Sequence, residues 1–292
     1  MHGPTLAEPS HSTTVHAEAT PYVWGIAIAA ALGGLLFGYD WVVIGGAREF
    51  FEVYFHLTSP SVIGWANSCA LLGCLAGAIA AGSLADRLGR PRVLLLSAIL
   101  FAISSVFTGA AHSFTSFIVW RIVGGTAIGL ASNVSPLYIA EISPAAVRGR
   151  LVSLNQFAIV VGILLAQIVN WRLVRPVPAH LSTLQLLNTW NVQQGWRWMF
   201  IAVAVPAVVF LIASLFIPES PRWLLARQRE SEASNVLTRI GGSAYASAEL
   251  ASIEQSFLVE SSATSSWREL FRPGIRRVLV IGIALAVLQQ WT

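Results

Sequence analysis

Seven apolar runs, each close to the length of a membrane-crossing helix, occupy most of this chain and limit what it can fold into. A helix rises about 1.5 Å per residue, so about 20 apolar residues cross a hydrocarbon core of roughly 30 Å. The runs are Tyr22 to Gly46, Ser61 to Leu84, Val93 to Ala111, Phe114 to Ile139, Leu151 to Val169 and Trp196 to Ile217. A seventh starts near Val278 and is still apolar at Thr292. In lipid, backbone polar groups must be satisfied within the segment, so the runs read as helices of an all-α membrane protein. Composition agrees. Charged residues are 11% of the chain and hydrophobic residues 55%, with mean hydropathy +0.67. A soluble domain carries about a quarter charged residues on its surface. The seventh run has no polar flank, which predicts a fragment or truncated reading frame of a longer membrane protein.

The charges that remain describe a topology. All 18 basic residues are arginine. They are not clustered with interleaved aromatics, which argues against a nucleic-acid partner despite a pI near 9.6. With the N-terminus inside, the inner loops hold Arg87, Arg90, Arg92, Arg148, Arg150, Arg222, Arg227, Arg229, Arg239, Arg268, Arg272, Arg276 and Arg277. The outer loops hold only Arg48, Arg172, Arg175 and Arg197. This bias predicts a multi-pass protein of the cell (inner) membrane with a cytoplasmic N-terminus. Residues 1–21 are polar, lack a signal-peptide pattern and read as a cytoplasmic tail. Residues 22–217 form the six-span bundle, 218–273 a polar cytoplasmic linker and 274–292 the start of the seventh span. Within the linker, Arg222 to Ile240 and Ser247 to Val259 read as amphipathic surface helices, and Ser261 to Ser266 as a loop. Cys69 and Cys74 suit neither a disulfide nor a metal site, and the histidines show no ligand spacing. No phosphate loop, cofactor motif or nucleophile–base pattern points to an enzyme.

Within the spans, Gly34-x-x-x-Gly38, Gly73-x-x-x-Gly77 and Gly125-x-x-x-Gly129 each predict a face for close helix contact. Two ionisable residues sit at depth. Asp40 lies eighteen residues past Tyr22, roughly 27 Å along its helix; Arg121 lies about 10 Å in from the opposite end of the fourth run. Both fall in the outer half of the membrane with opposite signs. A charge there costs at least about 2.5–3.5 kcal/mol, so a partner is expected. The pair is either a titrating carboxylate set by Arg121 or a purely structural ion pair. Gln156 in the fifth run, and Gln289 and Gln290 in the seventh, supply amides. They suit a hydroxyl-rich ligand, unless Gln156 only bonds a neighbouring helix.

Five motifs then occur in order. Gly82-Ser-Leu-Ala-Asp86-Arg87-Leu-Gly89-Arg90-Pro91-Arg92 resembles the loop between helices two and three of the major facilitator superfamily, with Pro91 where a second basic residue is usual. Arg121 to Gly129 and Pro136-Leu-Tyr138-Ile-Ala-Glu141-Ile-Ser-Pro144-Ala-Ala-Val-Arg148-Gly149 resemble the fourth helix and following signature of its sugar-porter branch. Pro218-Glu219-Ser220-Pro221-Arg222-Trp223-Leu224 is similar to the signature after helix six, and Gln289-Gln290-Trp291-Thr292 to the start of the seventh-helix sugar motif. Gly38-Tyr39-Asp40 and Asn155 to Ile159 carry a likeness to bacterial proton-coupled members. The resemblance implies a major facilitator fold, here its N-terminal six-helix bundle. It also implies proton-coupled symport of a xylose- or glucose-like monosaccharide by alternating access, without a cofactor. It further implies proton coupling by Asp40 and Arg121, and sugar contact by Gln156, Gln289 and Gln290. Asp86, Arg90, Glu141, Arg148, Glu219 and Arg222 would form a cytoplasmic gate. The implied partners are sugar, proton, lipid bilayer and the missing C-terminal half. A facilitative uniporter, or a non-transporting remnant or sensor, are the alternatives.

Overall fold

The structure, a computed structural model, describes residues 20–178, 183–262 and 273–291. Among these, α1 (Pro21–Tyr54), α2 (Pro60–Leu88), α3 (Arg90–Gly109), α4 (Phe114–Ile142) and α5 (Arg148–Leu173) are long enough and apolar enough to cross a membrane. A sixth candidate span runs from Asn191 to Leu215. It is built from a π-helical turn (Asn191–Gly195), α7 (Trp196–Ala202) and α8 (Ala204–Leu215), after the short α6 (Thr183–Leu187). The helices start where local chemistry allows. Thr20 caps α1, its hydroxyl accepting from the Val23 N–H at 3.4 Å, and Pro21 opens the first turn. Ser113 caps α4, accepting from Ser116 at 3.2 Å. One residue, Gly89, separates α2 from α3. It sits at φ 93°, and a Cβ there would collide with the Glu219 carboxylate, so only glycine makes this turn.

Two seams hold the bundle together, and glycine builds both. On the seam between α2 and α4, a side chain at Gly73 or Gly77 would strike the carbonyl of Ile122 or Thr126. On the facing helix, Gly125 and Gly129 meet the carbonyls of Ala70 and Cys74. On the seam between α1 and α5, Gly38 faces the Ile159 carbonyl, Gly162 faces that of Leu35, and Gly34 lies against Asn155. All three expected contact faces are therefore used, and two of them face each other. Backbones this close gain dispersion and Cα–H···O contacts in a lipid setting where hydrophobicity drives little. α3 packs on α4 and α8. At the end where α1 stops, Phe51, Phe55, Phe117, Trp196 and Phe200 make an aromatic cluster with centroids 5.0 to 6.4 Å apart. Elsewhere α2 and α5 show Leu72, Leu75, Ile79, Phe157, Val160 and Leu164 outward. Apolar faces of that extent fit lipid or another bundle, not water.

Two expectations are corrected. Arg197 is not in an outer loop. It lies in α7, is 7% exposed, and donates to the Gly109 and Ala111 carbonyls at 2.8 and 2.6 Å between the Tyr54 and Trp196 rings. It satisfies the orphan carbonyls at the end of α3. The linker breaks elsewhere too. After α9 (Pro221–Ala226) the chain turns at Gln228, with φ 59°, and α10 (Glu230–Ser262) changes direction at Gly242, with φ 85°. The helical pattern expected to start at Arg222 is thus two helices. Beyond α5, the chain is tied to the π-helical turn. The Asn191 side chain clamps Arg175, accepting from its N–H at 2.9 Å and donating to its carbonyl at 2.8 Å.

The chain divides into two compact units, one ending at Ala248 and one beginning at Glu249. The second contains α11 (Pro273–Trp291), whose Val278, Ile281 and Leu285 are exposed. Residues 1–19, most of the expected tail, and residues 263–272, most of the expected Ser-rich loop, lie outside the described residues.

Candidate functional site

Asp40 and Arg121 come from different helices and meet inside the first unit. Two residues before Asp40, Gly38 lets α1 close on α5, which sets Asp40 toward the bundle interior. Four residues after Arg121, Gly125 lets α4 close on α2. Arg121 Nη1 donates to Asp40 Oδ1 at 2.5 Å, and the residues are 4% and 7% exposed. A charged pair this buried has little solvent to screen it, so each member depends on the other, and removing either strands the other. The guanidinium carbon also lies 5.4 Å from the Phe200 ring centroid. Beside the pair is a cavity of about 390 Å³. Phe37, Asp40, Trp41, Asn67, Cys74 and Arg121 are among its lining residues, so α1, α2 and α4 all contribute. It is large enough for a hydroxyl-rich molecule or several waters.

Gln156 is not part of that cavity. It lies exposed on α5, next to Asn155, which touches Gly34. Gly34 is six residues before Asp40, so Gln156 stands about 9 Å toward the other end of the bundle. Gln289 and Gln290 fall in α11, but their side chains lie outside the described residues.

A second polar cluster closes the end bearing Gly89. Arg90 is 8% exposed and donates to Glu141 Oε1 at 3.0 Å and to the Ala85 carbonyl at 3.2 Å, with Asp86 Oδ1 at 3.4 Å. Glu219 accepts from the backbone N–H of Arg90 and of Ser220, both at 3.0 Å. Burial pushes its carboxyl above the usual range, and those two N–H groups and Arg90 pull it part of the way back. Tyr138 donates to the Pro218 carbonyl at 2.7 Å, and Trp223 donates its indole N–H to the Asp86 carbonyl at 2.9 Å. Of the six expected gate residues, Asp86, Arg90, Glu141 and Glu219 thus come together. Arg148 instead donates to the Ser143 carbonyl at 3.4 Å and makes no ion pair among the described residues. Arg222 sits in the first turn of α9. Sequence reasoning missed Tyr138 and Trp223 as hydrogen-bond donors here, although both lie inside the quoted motifs.

A family model described as "Sugar (and other) transporter" matches residues 26–292. The chain belongs to this sugar transporter family. Among curated relatives of the family, the arabinose-proton symporter of Bacillus subtilis strain 168 is 40% identical over 98% of this chain and 59% of its own length. The D-xylose-proton symporter of Escherichia coli K12 is 37% identical over 92% of this chain and 57% of its own. The chain therefore spans somewhat more than half the length of the relatives it matches. Among solved structures, the inward-open xylose transporter XylE from E. coli aligns with TM-score 0.76 at 35% identity. The match covers 92% of this chain and 61% of that one. XylE bound to 6-bromo-6-deoxy-D-glucose, described as a major facilitator superfamily protein, gives 0.75 at 36% identity, covering 82% and 54%. The fold is that of the N-terminal half of a major facilitator transporter. The sugar transporter family is one of multi-pass membrane proteins, and six membrane-length helices among the described residues agree.

Proposed function

We propose that this chain supplies the N-terminal bundle of a proton-coupled monosaccharide symporter. The observation that carries the reading is the buried Asp40–Arg121 pair beside a cavity. A largely buried carboxylate, with one cation beside it and a cavity opening onto it, can take and release a proton at a controlled moment. When Asp40 takes a proton, its hold on Arg121 weakens and the balance between two bundle arrangements changes. The relatives' names, arabinose-proton, D-xylose-proton and galactose-proton symporter, support the same reading. Gln156, Gln289 and Gln290 supply the amide donors and acceptors that sugar hydroxyls need. The Gln156 assignment is tested by calorimetric titration of the Gln156→Ala protein with sugar, where an unchanged dissociation constant returns Gln156 to helix packing. The cluster around Arg90 and Glu219 closes the inner gate, with the N-terminus and linker in the cytoplasm. A second bundle, in the position of the relatives' remaining length, completes the transport path, because alternating access moves two bundles about a central site.

The test is Asp40→Asn in the two-bundle transporter. Sugar added to lightly buffered cells then produces no alkalinisation of the medium, while exchange of labelled sugar at equal concentrations continues. Alkalinisation retained by the variant removes Asp40 as the coupling site, and no alkalinisation by the parent transporter leaves uniport.

A further inference from the structure

Besides Asp40, which the coupling reading uses, Arg121 has an aromatic neighbour that it does not use. It is Phe200 on α7, whose ring centroid lies 5.4 Å from the guanidinium carbon. Phe200 is 1% exposed. Its ring is braced edge-on by Phe117 at 5.7 Å and by Trp196 at 6.3 Å. Trp196 is itself fixed, since its indole N–H donates to the Val192 carbonyl at 2.8 Å. The ring is therefore held from two sides and does not follow Arg121 if the guanidinium moves. Arg121 Nε has no hydrogen-bond partner among the described residues. An aromatic face within about 6 Å attracts a guanidinium, and more strongly where water is excluded.

The need for this face arises when Asp40 is protonated. The carboxyl then carries no charge, and Arg121 remains a buried cation. Among the described residues, Asp40 is the only carboxylate shown acting on it, and the neutral side chains of Asn67 and Ser68 line the same cavity. On α2 stand the thiols of Cys69 and Cys74, and on α1 the phenol of Tyr39, all poor partners for a cation. The arginines of α3 and α5 (Arg90, Arg92, Arg148, Arg150 and Arg172) lie at helix ends and repel it. α8 has no ionisable side chain. On α7, Arg197 is already bound to the carbonyls of Gly109 and Ala111. We infer that Phe200 is a positioning residue for proton coupling: its ring holds Arg121 while Asp40 is neutral, so that the ion pair re-forms when the proton leaves.

This inference rests on the coupling reading, and the experiment separates the two. Phe200 is replaced by mono-, di- and trifluorinated phenylalanine in the two-bundle transporter. These keep the ring's shape and drain the negative charge from its face. The pH dependence of sugar-coupled proton uptake is measured for each. The expected result is a stepwise shift of the midpoint toward lower pH, reaching about half to one pH unit with three fluorines, because the neutral-Asp40 state loses its support. Phe200→Leu moves the midpoint the same way, and Phe200→Trp returns it toward the parent. A packing role alone changes yield or maximal rate without following fluorine number. A midpoint that stays fixed through the series, with uptake intact and Asp40→Asn still uncoupled, overturns the role of Phe200 and leaves the coupling reading standing. Coupling that survives Asp40→Asn overturns both.

Discussion

Glu219 and Asp40 are both shielded carboxylates, yet different groups satisfy them. Asp40 faces a guanidinium. Glu219 takes its two shortest bonds from backbone N–H groups, at Arg90 and Ser220. A neutral amide oxygen can accept both bonds too, though more weakly than a carboxylate does. Burial raises the Glu219 carboxyl, so the fold favours its neutral form. The sign of the pH effect follows. A group raised on folding contributes stability below its unfolded value and loses it as pH rises through the folded value. We therefore expect Glu219→Gln to match the parent in thermal melts near pH 4.5 and to exceed it at pH 8. Glu219→Ala, which leaves both N–H groups unpaired, costs about 1–3 kcal/mol at either pH. A Glu219→Gln protein that is less stable at pH 8 than at pH 4.5, relative to the parent, contradicts this account.

Helix pairing in this bundle depends on absent side chains more than on present ones. A Cβ at Gly38 meets the Ile159 carbonyl, and one at Gly129 meets that of Cys74. Both obstacles are backbone atoms and cannot rotate away, so whole helices must separate. Gly45, also in α1, has nothing within 4 Å of an added Cβ. Gly38→Val or Gly129→Val should therefore lower stability by at least about 1–3 kcal/mol and reduce the yield of monodisperse protein. Gly45→Ala should be neutral or slightly stabilising, since alanine is the better helix former by up to about 1 kcal/mol. Size-exclusion profiles and melting temperatures of the three variants decide it; equal behaviour at Gly38 and Gly45 removes the close-contact explanation. On the proposed transport reading, movement between states leaves these seams closed, because backbone meets backbone along them.

The bundle taken whole has an apolar core with one buried charge pair, and two apolar flanks. α2 and α5 turn large apolar side chains outward, while Asp40, Arg121 and the cavity lie within. Rocking needs a second rigid body on the other side of the site. Residues 1–292 expressed alone should therefore insert in the membrane with the N-terminus inside but show no saturable uptake of labelled sugar into vesicles. Co-expression with a matching second bundle should restore it, since the linker from Pro218 onward is polar and does not cross the membrane in this reading. Saturable uptake by the single chain above empty vesicles shows that a second bundle is not required, or that two copies pair.

How far the sequence could be read depended on whether a feature is measured along the chain or across it. Length of apolar run and rise per residue are measured along it. They were enough for six spans, and for placing Asp40 and Arg121 at one depth with opposite charge. The depth argument works because a buried charge must find its counterpart at its own level in the membrane. The glycine spacings were legible for the same reason, as a period of four marks one face of a helix. Partner choice across helices is another kind of quantity. It depends on how each helix is rotated and what lies beside it, and apolar patterning is blind to rotation when lipid and core are equally greasy. That is why Arg197 was read as a loop residue although it caps α3 from inside the bundle. It is why the backbone N–H of Arg90, not a side chain, turned out to be a partner of Glu219, and why Phe200 gave no signal among the apolar residues around it. The bend at Gly242 was hidden for a simpler reason: a left-handed glycine leaves no mark in a polar helical pattern until its φ is known.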